Sequence, residues 1–261
     1  MDLQLKNRRV VLCGAGGVLG RAVAARLAGE GAQLALFGRD PAALQARVAG
    51  LAPVAAGHHC VGCDLASAES VDAAIARAEE LLGGIDVLVS AAGAAQGGVF
   101  WELDDAAWRS NLEVKLFGTI RVLRAVAPRM IAQRSGRIVL VVGNSARQPE
   151  PRMLPGAAAN AALLAIVRGL AEELGPQGVA INALNPGPVR SARWERLMQT
   201  AAEREGTTAA EVEAHFLAKT ALRRLASAEE IASHVAFLAS PVAAHLTGTS
   251  LTVDGGSTKS P

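Results

Sequence analysis

Short apolar runs alternate along the chain with longer stretches in which apolar positions recur at helical spacing. Strands that alternate with helices in this way imply a parallel sheet covered by helices on both faces, so the predicted class is α/β. No composition break marks a linker, and residues 1–261 are predicted to form one domain around about seven strands. The strands are predicted at 10–12, 33–37, near Cys60, and at 86–89, 137–142, 179–184 and 250–253. The helices are predicted at 21–27, 41–48, 71–82, 104–132, 157–174 and 229–238, with a helical insertion at 191–218.

Charge and composition exclude some classes of function. The formal net charge is +2 and the basic residues are scattered, which gives no reason to expect nucleic-acid binding. We find neither a signal peptide at the N-terminus nor a run that is apolar and charge-free enough to span a bilayer. Three cysteines argue against a disulfide framework and favour a reducing, cytoplasmic location.

One cysteine-rich segment raises the question of a metal site. Residues 58–63 contain two histidines and a Cys-x-x-Cys spacing, which together are zinc-ligand types. They coincide with a predicted strand, where alternate side chains face opposite sides and cannot easily converge. We therefore predict strand residues with buried thiols and no metal site.

A glycine-rich loop follows the first predicted strand and precedes a helix. Gly14, Gly17 and Gly20 would let the backbone approach a pyrophosphate, and the helix N-terminus would offer N–H groups to it. Alternatively, these glycines only form the turn and the contact between helix and sheet. Val18 stands at the junction of loop and helix, where a β-branched side chain could crowd a phosphate. Arg39, at the end of the second strand, suits the 2′-phosphate of NADP rather than the 2′-hydroxyl of NAD, or is simply a solvated arginine.

Several motifs in fixed order resemble the short-chain dehydrogenase/reductase family over nearly the whole chain. They include Gly136-Arg137-Ile138-Val139, the segment 170–176 and the loop 185–189. The resemblance implies a doubly wound Rossmann fold, an NAD(P) site and a substrate lid at 191–218. The positions that it implies for the cofactor are Gly14, Gly17, Gly20, Arg39, Asp64, Gly93, Pro186 and Gly187.

The same resemblance implies that the family's four catalytic positions are substituted. The tyrosine position falls on Gly156, the lysine on Asn160, the serine on Gly143 and the asparagine on Lys115, and the chain contains no tyrosine. Two residues are possible substitutes: Ser145, through a shifted loop, and Lys115, whose pKa burial would lower. Alternatively, Lys115 only fills the space left by the missing side chains, bonded to Asn160 or to a carbonyl.

Three functions follow from this resemblance. The first is a catalytically inactive subunit that supports an active dehydrogenase, as in degradative pathways that act on aromatic acyl-CoA intermediates. The second is an NADP-dependent oxidoreductase or lyase with non-standard catalytic residues, and the third is a dinucleotide-sensing protein. NADP or NAD is the expected cofactor, its binding weak or absent, with preference for NADP.

The resemblance also predicts an oligomer, because family members pair through the two long helices that flank the fifth strand. The expected partner is an intact paralogue in a heterotetramer or other hetero-oligomer, or a second copy of the chain. An apolar stripe on the second of these helices, part of which we expect to face the sheet, would meet that partner. Arg190, Arg193 and Arg196 would share a helical face and hold an anionic substrate tail, unless they are only solvated. The stripe consists of Ala158, Ala161, Ala162, Ala165 and Ile166.

Overall fold

A computed structural model describes residues 1–93 and 97–259. Within these residues seven parallel strands form one sheet in the order β3-β2-β1-β4-β5-β6-β7. This confirms the α/β class and the doubly wound, parallel sheet predicted from the apolar runs. The strands are β1 (Arg9–Cys13), β2 (Gln33–Gly38), β3 (His59–Gly62), β4 (Val87–Ser90), β5 (Gly136–Val141), β6 (Val179–Pro186) and β7 (Ser250–Val253).

Helices cover both faces of the sheet, because the strands present apolar side chains to each side. In β1, Val11 packs in a core cluster on one face of the sheet, whereas Val10 and Leu12 pack in a second cluster on the other face. This alternation follows the two-residue period of a strand. The helices are α1 (Val18–Gly29), α2 (Pro41–Arg47), α3 (Ala68–Leu82), α4 (Asp105–Leu112), α5 (Gly118–Gln133), α6 (Leu154–Leu174), α7 (Ala192–Glu205), α8 (Ala209–Ala218) and α9 (Ala228–Ala239).

The long helix predicted at 104–132 is interrupted. A π-helical segment, Glu113–Phe117, joins α4 to α5 and contains Lys115. The hydroxyl of Thr119 donates to the carbonyl oxygen of Lys115 at 2.7 Å. This carbonyl therefore has a side-chain partner where the π-helical segment alters the backbone hydrogen bonds. Such π segments are rare and often lie at functional sites.

Residues 191–218 form two helices, α7 and α8, that pack on each other. The rings of Trp194 and Phe216 meet edge to face, with centroids 4.9 Å apart. Glu213 accepts hydrogen bonds from the Trp194 indole N–H and from Arg190, each at 2.9 Å. Because Ser191 caps α7, Arg190 lies outside the helix, and the expected shared face of three arginines was wrong.

The helix α6 corrects one expectation and refines another. The stretch Leu154–Gln177 is long and apolar enough to cross a membrane by length and composition alone, contrary to our expectation, but 44% of its apolar window is buried inside the fold. Leu163 and Val167 belong to the core beneath the sheet, so α6 is a core helix of the α/β fold. Of the apolar stripe, Ala158, Ala161 and Ala165 are exposed and Ala162 is half-buried, whereas Ile166 packs against that core, as expected for the part of the stripe that faces the sheet.

Candidate functional site

Two cavities open at the carboxyl ends of the central strands in the described part of the chain. We call the first the Arg39 cavity, of about 490 Å³, and the second the Lys115 cavity, of about 470 Å³. Ligands of doubly wound folds bind at this edge, where the strand order reverses between β1 and β4. Among residues 1–93 and 97–259, the two cavities have four lining residues in common, which are Gly17, Ala91, Ala92 and Gly93.

The glycine loop after β1 separates the two cavities. Gly14 has φ +79°, and a Cβ there would lie 2.7 Å from the backbone nitrogen of Ala92. A Cβ on Gly20 would overlap the carbonyl oxygen of Gly14. Gly17 is the N-cap of α1, whose first turn contains no acidic residue. The loop therefore presents a helix N-terminus suited to an anion such as a pyrophosphate.

Val18 is the first residue of α1 and is 39% exposed. Its side chain lines the Lys115 cavity and is not part of the Arg39 cavity lining. Any crowding of a phosphate by this residue would thus come from the side of the Lys115 cavity.

The Arg39 cavity brings together two of the residues predicted for the cofactor, Arg39 and Asp64. Arg39 is exposed at its rim, and Asp64 accepts a hydrogen bond from the backbone N–H of Ala66 at 3.0 Å, which fixes its carboxylate. Asn111 also lines this cavity and was not predicted from the sequence. Its buried amide donates to the carbonyl oxygen of Ala107 at 2.8 Å. Its burial depends on how the helix packs, so no residue pattern in the sequence indicated it.

Lys115 reaches into the second cavity from the π-helical segment. Its ammonium donates to the carbonyl oxygen of Val142 at 2.7 Å, which confirms a carbonyl rather than Asn160 as its partner. Its alkyl chain lies against Gly93, where a Cβ would be 2.9 Å from the lysine Cδ. Burial, with a smaller contribution from the positive charge of Arg193, lowers the pKa of Lys115 to about 8.

Asn160 lies behind the wall of the Lys115 cavity. Its amide donates to the hydroxyl oxygen of Ser145 at 2.8 Å, and its own carbonyl oxygen is buried without a partner among the described residues. Gly143 lines the cavity with φ +128°, and a Cβ there would lie 3.0 Å from the Asn160 amide nitrogen. Gly156 is buried one helical turn before Asn160 in α6.

The structure therefore brings most of the predicted residues to one edge of the sheet. Lys115, Gly143 and Ser145 line the second cavity, together with Pro186 and Gly187 from the end of β6. Arg193, considered in the sequence only as part of an arginine face, lines it as well. Further lining residues that the sequence did not indicate as site residues are Glu150, Met153, Trp194 and Leu197.

The cysteine-rich segment lies at β3. Among residues 1–93 and 97–259, no group of three or more His, Cys, Asp or Glu side chains is placed to hold a metal ion. Cys63 is buried, and burial raises the pKa of its thiol to about 11. His58 contacts the carbonyl oxygen of Ala52 at 2.9 Å through its Nε2.

Comparison with known proteins assigns a family to this geometry. A family model described as enoyl-(acyl carrier protein) reductase matches residues 14–258. The short-chain reductase protein NovJ of Streptomyces niveus is 37% identical over 246 residues, covering 94% of this chain and 92% of that protein.

Solved structures agree with this match over the full length. A short-chain dehydrogenase/reductase, glucose/ribitol dehydrogenase, from Brucella melitensis superposes with TM-score 0.88 at 29% identity, covering 100% of both chains. L-sorbose reductase from Gluconobacter frateurii, solved with NADPH and L-sorbose, gives TM-score 0.88 at 26% identity and also covers 100% of both chains.

The buried ammonium predicts a specific dependence of stability on pH. The pKa of Lys115 is about 8 in the folded protein, below the value of about 10.4 expected for an unfolded chain. Between these values the unfolded chain binds more protons, so the contribution of Lys115 to stability rises with pH. From pH 7 to pH 10.5, wild type should gain up to about 3 kcal/mol of unfolding free energy relative to Lys115→Met.

Urea unfolding at a series of pH values measures this difference. Lys219→Met, at an exposed lysine, is the matched control and should follow wild type at every pH. Parallel profiles for wild type and Lys115→Met would show that the ammonium is not desolvated.

Proposed function

Because the chain belongs to the short-chain dehydrogenase/reductase family of oxidoreductases, we propose that it is a catalytically inactive member, which supports an active dehydrogenase as a subunit. The observation that carries the proposal is the absence of tyrosine from the chain, with the buried Gly156 at the aligned position. The Arg39 and Lys115 cavities, together with the exposed apolar face of α6, support the proposal. The proposed setting of that dehydrogenase is a degradative pathway that acts on aromatic acyl-CoA intermediates.

The chemistry of carbonyl reduction explains why the residue at position 156 determines whether the chain can be active. Hydride delivery builds negative charge on the carbonyl oxygen, which a positioned acid must protonate. In the family a tyrosine supplies the proton, and the ammonium of a nearby lysine lowers its pKa. On our alignment Gly156 has no proton to give, and Asn160 is neutral with its amide committed to Ser145.

A second candidate function rests on Lys115. Its ammonium lines the cavity where a substrate carbonyl would lie, and its pKa of about 8 is close to the pH at which a general acid or base is effective. On this alternative the chain is an oxidoreductase or lyase with non-standard catalytic residues. Against it, the ammonium already donates to the carbonyl oxygen of Val142.

The proposal predicts that the purified chain alone turns over poorly. Oxidation of alcohols or reduction of carbonyls with NAD(H) or NADP(H) should be slower than for an intact paralogue by about two to four orders of magnitude, because general acid–base help is absent. Stopped-flow absorbance at the nicotinamide band measures both proteins with one substrate panel.

Two variants separate the candidate functions in the same assay. Ser145→Ala and Lys115→Ala should leave the residual rate unchanged if the chain is inactive. Robust turnover by the lone chain, abolished by Lys115→Ala but not by Arg77→Gln at the surface, would overturn the proposal and establish the second candidate.

Dinucleotide binding is proposed to be weak and to favour NADP. Arg39 lies exposed at the rim of its cavity, where the 2′-phosphate of NADP would meet a guanidinium. Arg47 lies beside the glycine loop, with its guanidinium 3.5 Å from the carbonyl oxygen of Gly16, and adds positive charge there. Asn160, engaged by Ser145, offers no cation to the nicotinamide ribose.

Calorimetric titration with NADP and NAD tests this preference. Arg39→Gln should weaken NADP binding about tenfold or more, as expected for loss of a charge-assisted hydrogen bond, and leave NAD binding nearly unchanged. Arg77→Gln, on the exposed face of α3, is the charge-matched control. Tighter binding of NAD than of NADP, or a preference that Arg39→Gln does not alter, would contradict the assignment.

The exposed face of α6 is proposed to bind an intact paralogue, or a second copy where no paralogue is present. Ala158, Ala161 and Ala165 are exposed on this helix, and Phe117, on the π-helical segment that contacts α6, is 46% exposed. Contiguous exposed apolar surface of this kind commonly marks an interface. The helices concerned are those through which family members pair, as the resemblance implies.

Co-expression with an intact paralogue from the same organism, followed by size exclusion with mass measurement, tests the interface. Wild type should form one mixed species, and Ala161→Arg should abolish it by burying a charge at the contact. Ala76→Arg, at an exposed alanine of α3, should leave the assembly intact. A stable monomer that associates with neither the paralogue nor itself would rule out the proposed interface.

A further inference from the structure

We propose that the Lys115 cavity is a binding site for a carboxylate with an apolar body, whose carboxylate lies between Lys115 and Arg193. The inference goes beyond the proposed function, because it concerns what the cavity binds and not whether the chain turns over or pairs. It rests on the charges, the walls and the hydrogen-bond donors of the cavity.

The charged residues that line the cavity favour an anion. Among the described residues these are Lys115 from the π-helical segment, Arg193 from α7 and Glu150 from the loop before α6. The positive charge of Arg193 contributes to the lowered pKa of Lys115, so the two cations act on the same space. With a pKa of about 8, Lys115 is still mainly protonated at neutral pH. A negative group between the two cations would relieve their repulsion.

The N-terminus of α7 adds to this potential. Ser191, its N-cap, and Trp194, in its first turn, both line the cavity. The N–H of Trp194 donates to the Ser191 hydroxyl at 3.2 Å, and the partial positive charge at the start of a helix stabilises a nearby anion. Helix and cations therefore favour the same sign of ligand charge.

Ser145 supplies a neutral donor in the lining of the cavity. Its hydroxyl oxygen accepts from the buried amide of Asn160 at 2.8 Å, which holds the hydroxyl in place. The hydroxyl hydrogen is then left to donate to an acceptor in the cavity. A carboxylate has lone pairs for several such donors, whereas a neutral amide offers one acceptor oxygen and adds two N–H donors of its own.

The remaining lining residues are largely apolar, which favours an apolar body for the rest of the ligand. The apolar lining residues include Leu19, Val141, Met153, Leu197 and, from α7, Trp194. The volume of about 470 Å³ lies within the usual range for small-molecule sites. An aryl or alkyl body with a single acidic head fits both the walls and the charges.

Isothermal titration with 3-phenylpropanoate tests the site, with 3-phenylpropanamide as a neutral ligand of the same shape. The acid should bind wild type at least about tenfold more tightly than the amide, because its charge makes charge-assisted hydrogen bonds. Lys115→Met and Arg193→Gln should each remove most of this difference. Arg196→Gln, on the same helix but outside the cavity lining, should retain it.

The pH dependence gives a second readout. Affinity for the acid should fall as pH rises through about 8, where Lys115 loses its proton, and should stay flat in Lys115→Met. Arg193→Gln, at an exposed position, decides the test if Lys115→Met does not fold.

Three outcomes would overturn the inference. They are equal affinity for acid and amide, unchanged acid affinity in both cavity variants, and displacement of the acid by inorganic phosphate at equal concentration, which would indicate an unselective anion site. Neither a partner nor turnover enters this titration, so it can fail while the proposed function holds, and the reverse.

Discussion

Both cavities depend on one close approach, between the loop after β1 and the backbone after β4. Gly14 lies so near this backbone that a Cβ would come within 2.8 Å of the carbonyl oxygen of Ala91. The approach occurs where β1 has β2 on one side and β4 on the other, so helices leave the sheet in opposite directions there. The gap between them contains the two cavities, and the shared residues from both loops form the ridge that separates them. Without the glycine the loop would have to lift away, and the ridge with it.

The sequence predicted the sheet well because strands buried on both faces show nearly continuous apolar runs. The predicted strand at 137–142 is one example, since it lies within one residue of the observed Gly136–Val141 at each end. Helix starts were less accurate. The start of α1, at Val18, lies three residues before the predicted one, because the glycine-rich entry shows little helical periodicity. The π-helical segment could not be predicted, since it depends on hydrogen bonds that no residue pattern encodes.

The sequence predicted which residues line the site better than it predicted their hydrogen-bond partners. The ends of parallel strands meet at one edge, so residues after β1, β4 and β6 were expected to converge. The bond from Lys115 to the carbonyl oxygen of Val142 joins residues 27 positions apart, and only the packing of helix on sheet decides which carbonyl is reached. The separation of Arg190 from Arg193 depends on where Ser191 caps α7, which spacing alone did not reveal.

The residues at the proposed catalytic positions behave as one unit. Lys115 donates a hydrogen bond to the carbonyl oxygen of Val142, and Asn160 donates one to the hydroxyl oxygen of Ser145. The segment 142–145 is therefore held at both ends. Gly143, within that segment, has φ +128°, a conformation in which an L side chain is strained. A serine there would also crowd the Asn160 amide, 3.0 Å from the position of a Cβ. Replacing Lys115, Gly143 or Asn160 singly by the family residue would therefore break or crowd one of these contacts, which supports the proposal of a pocket that binds a ligand without turnover.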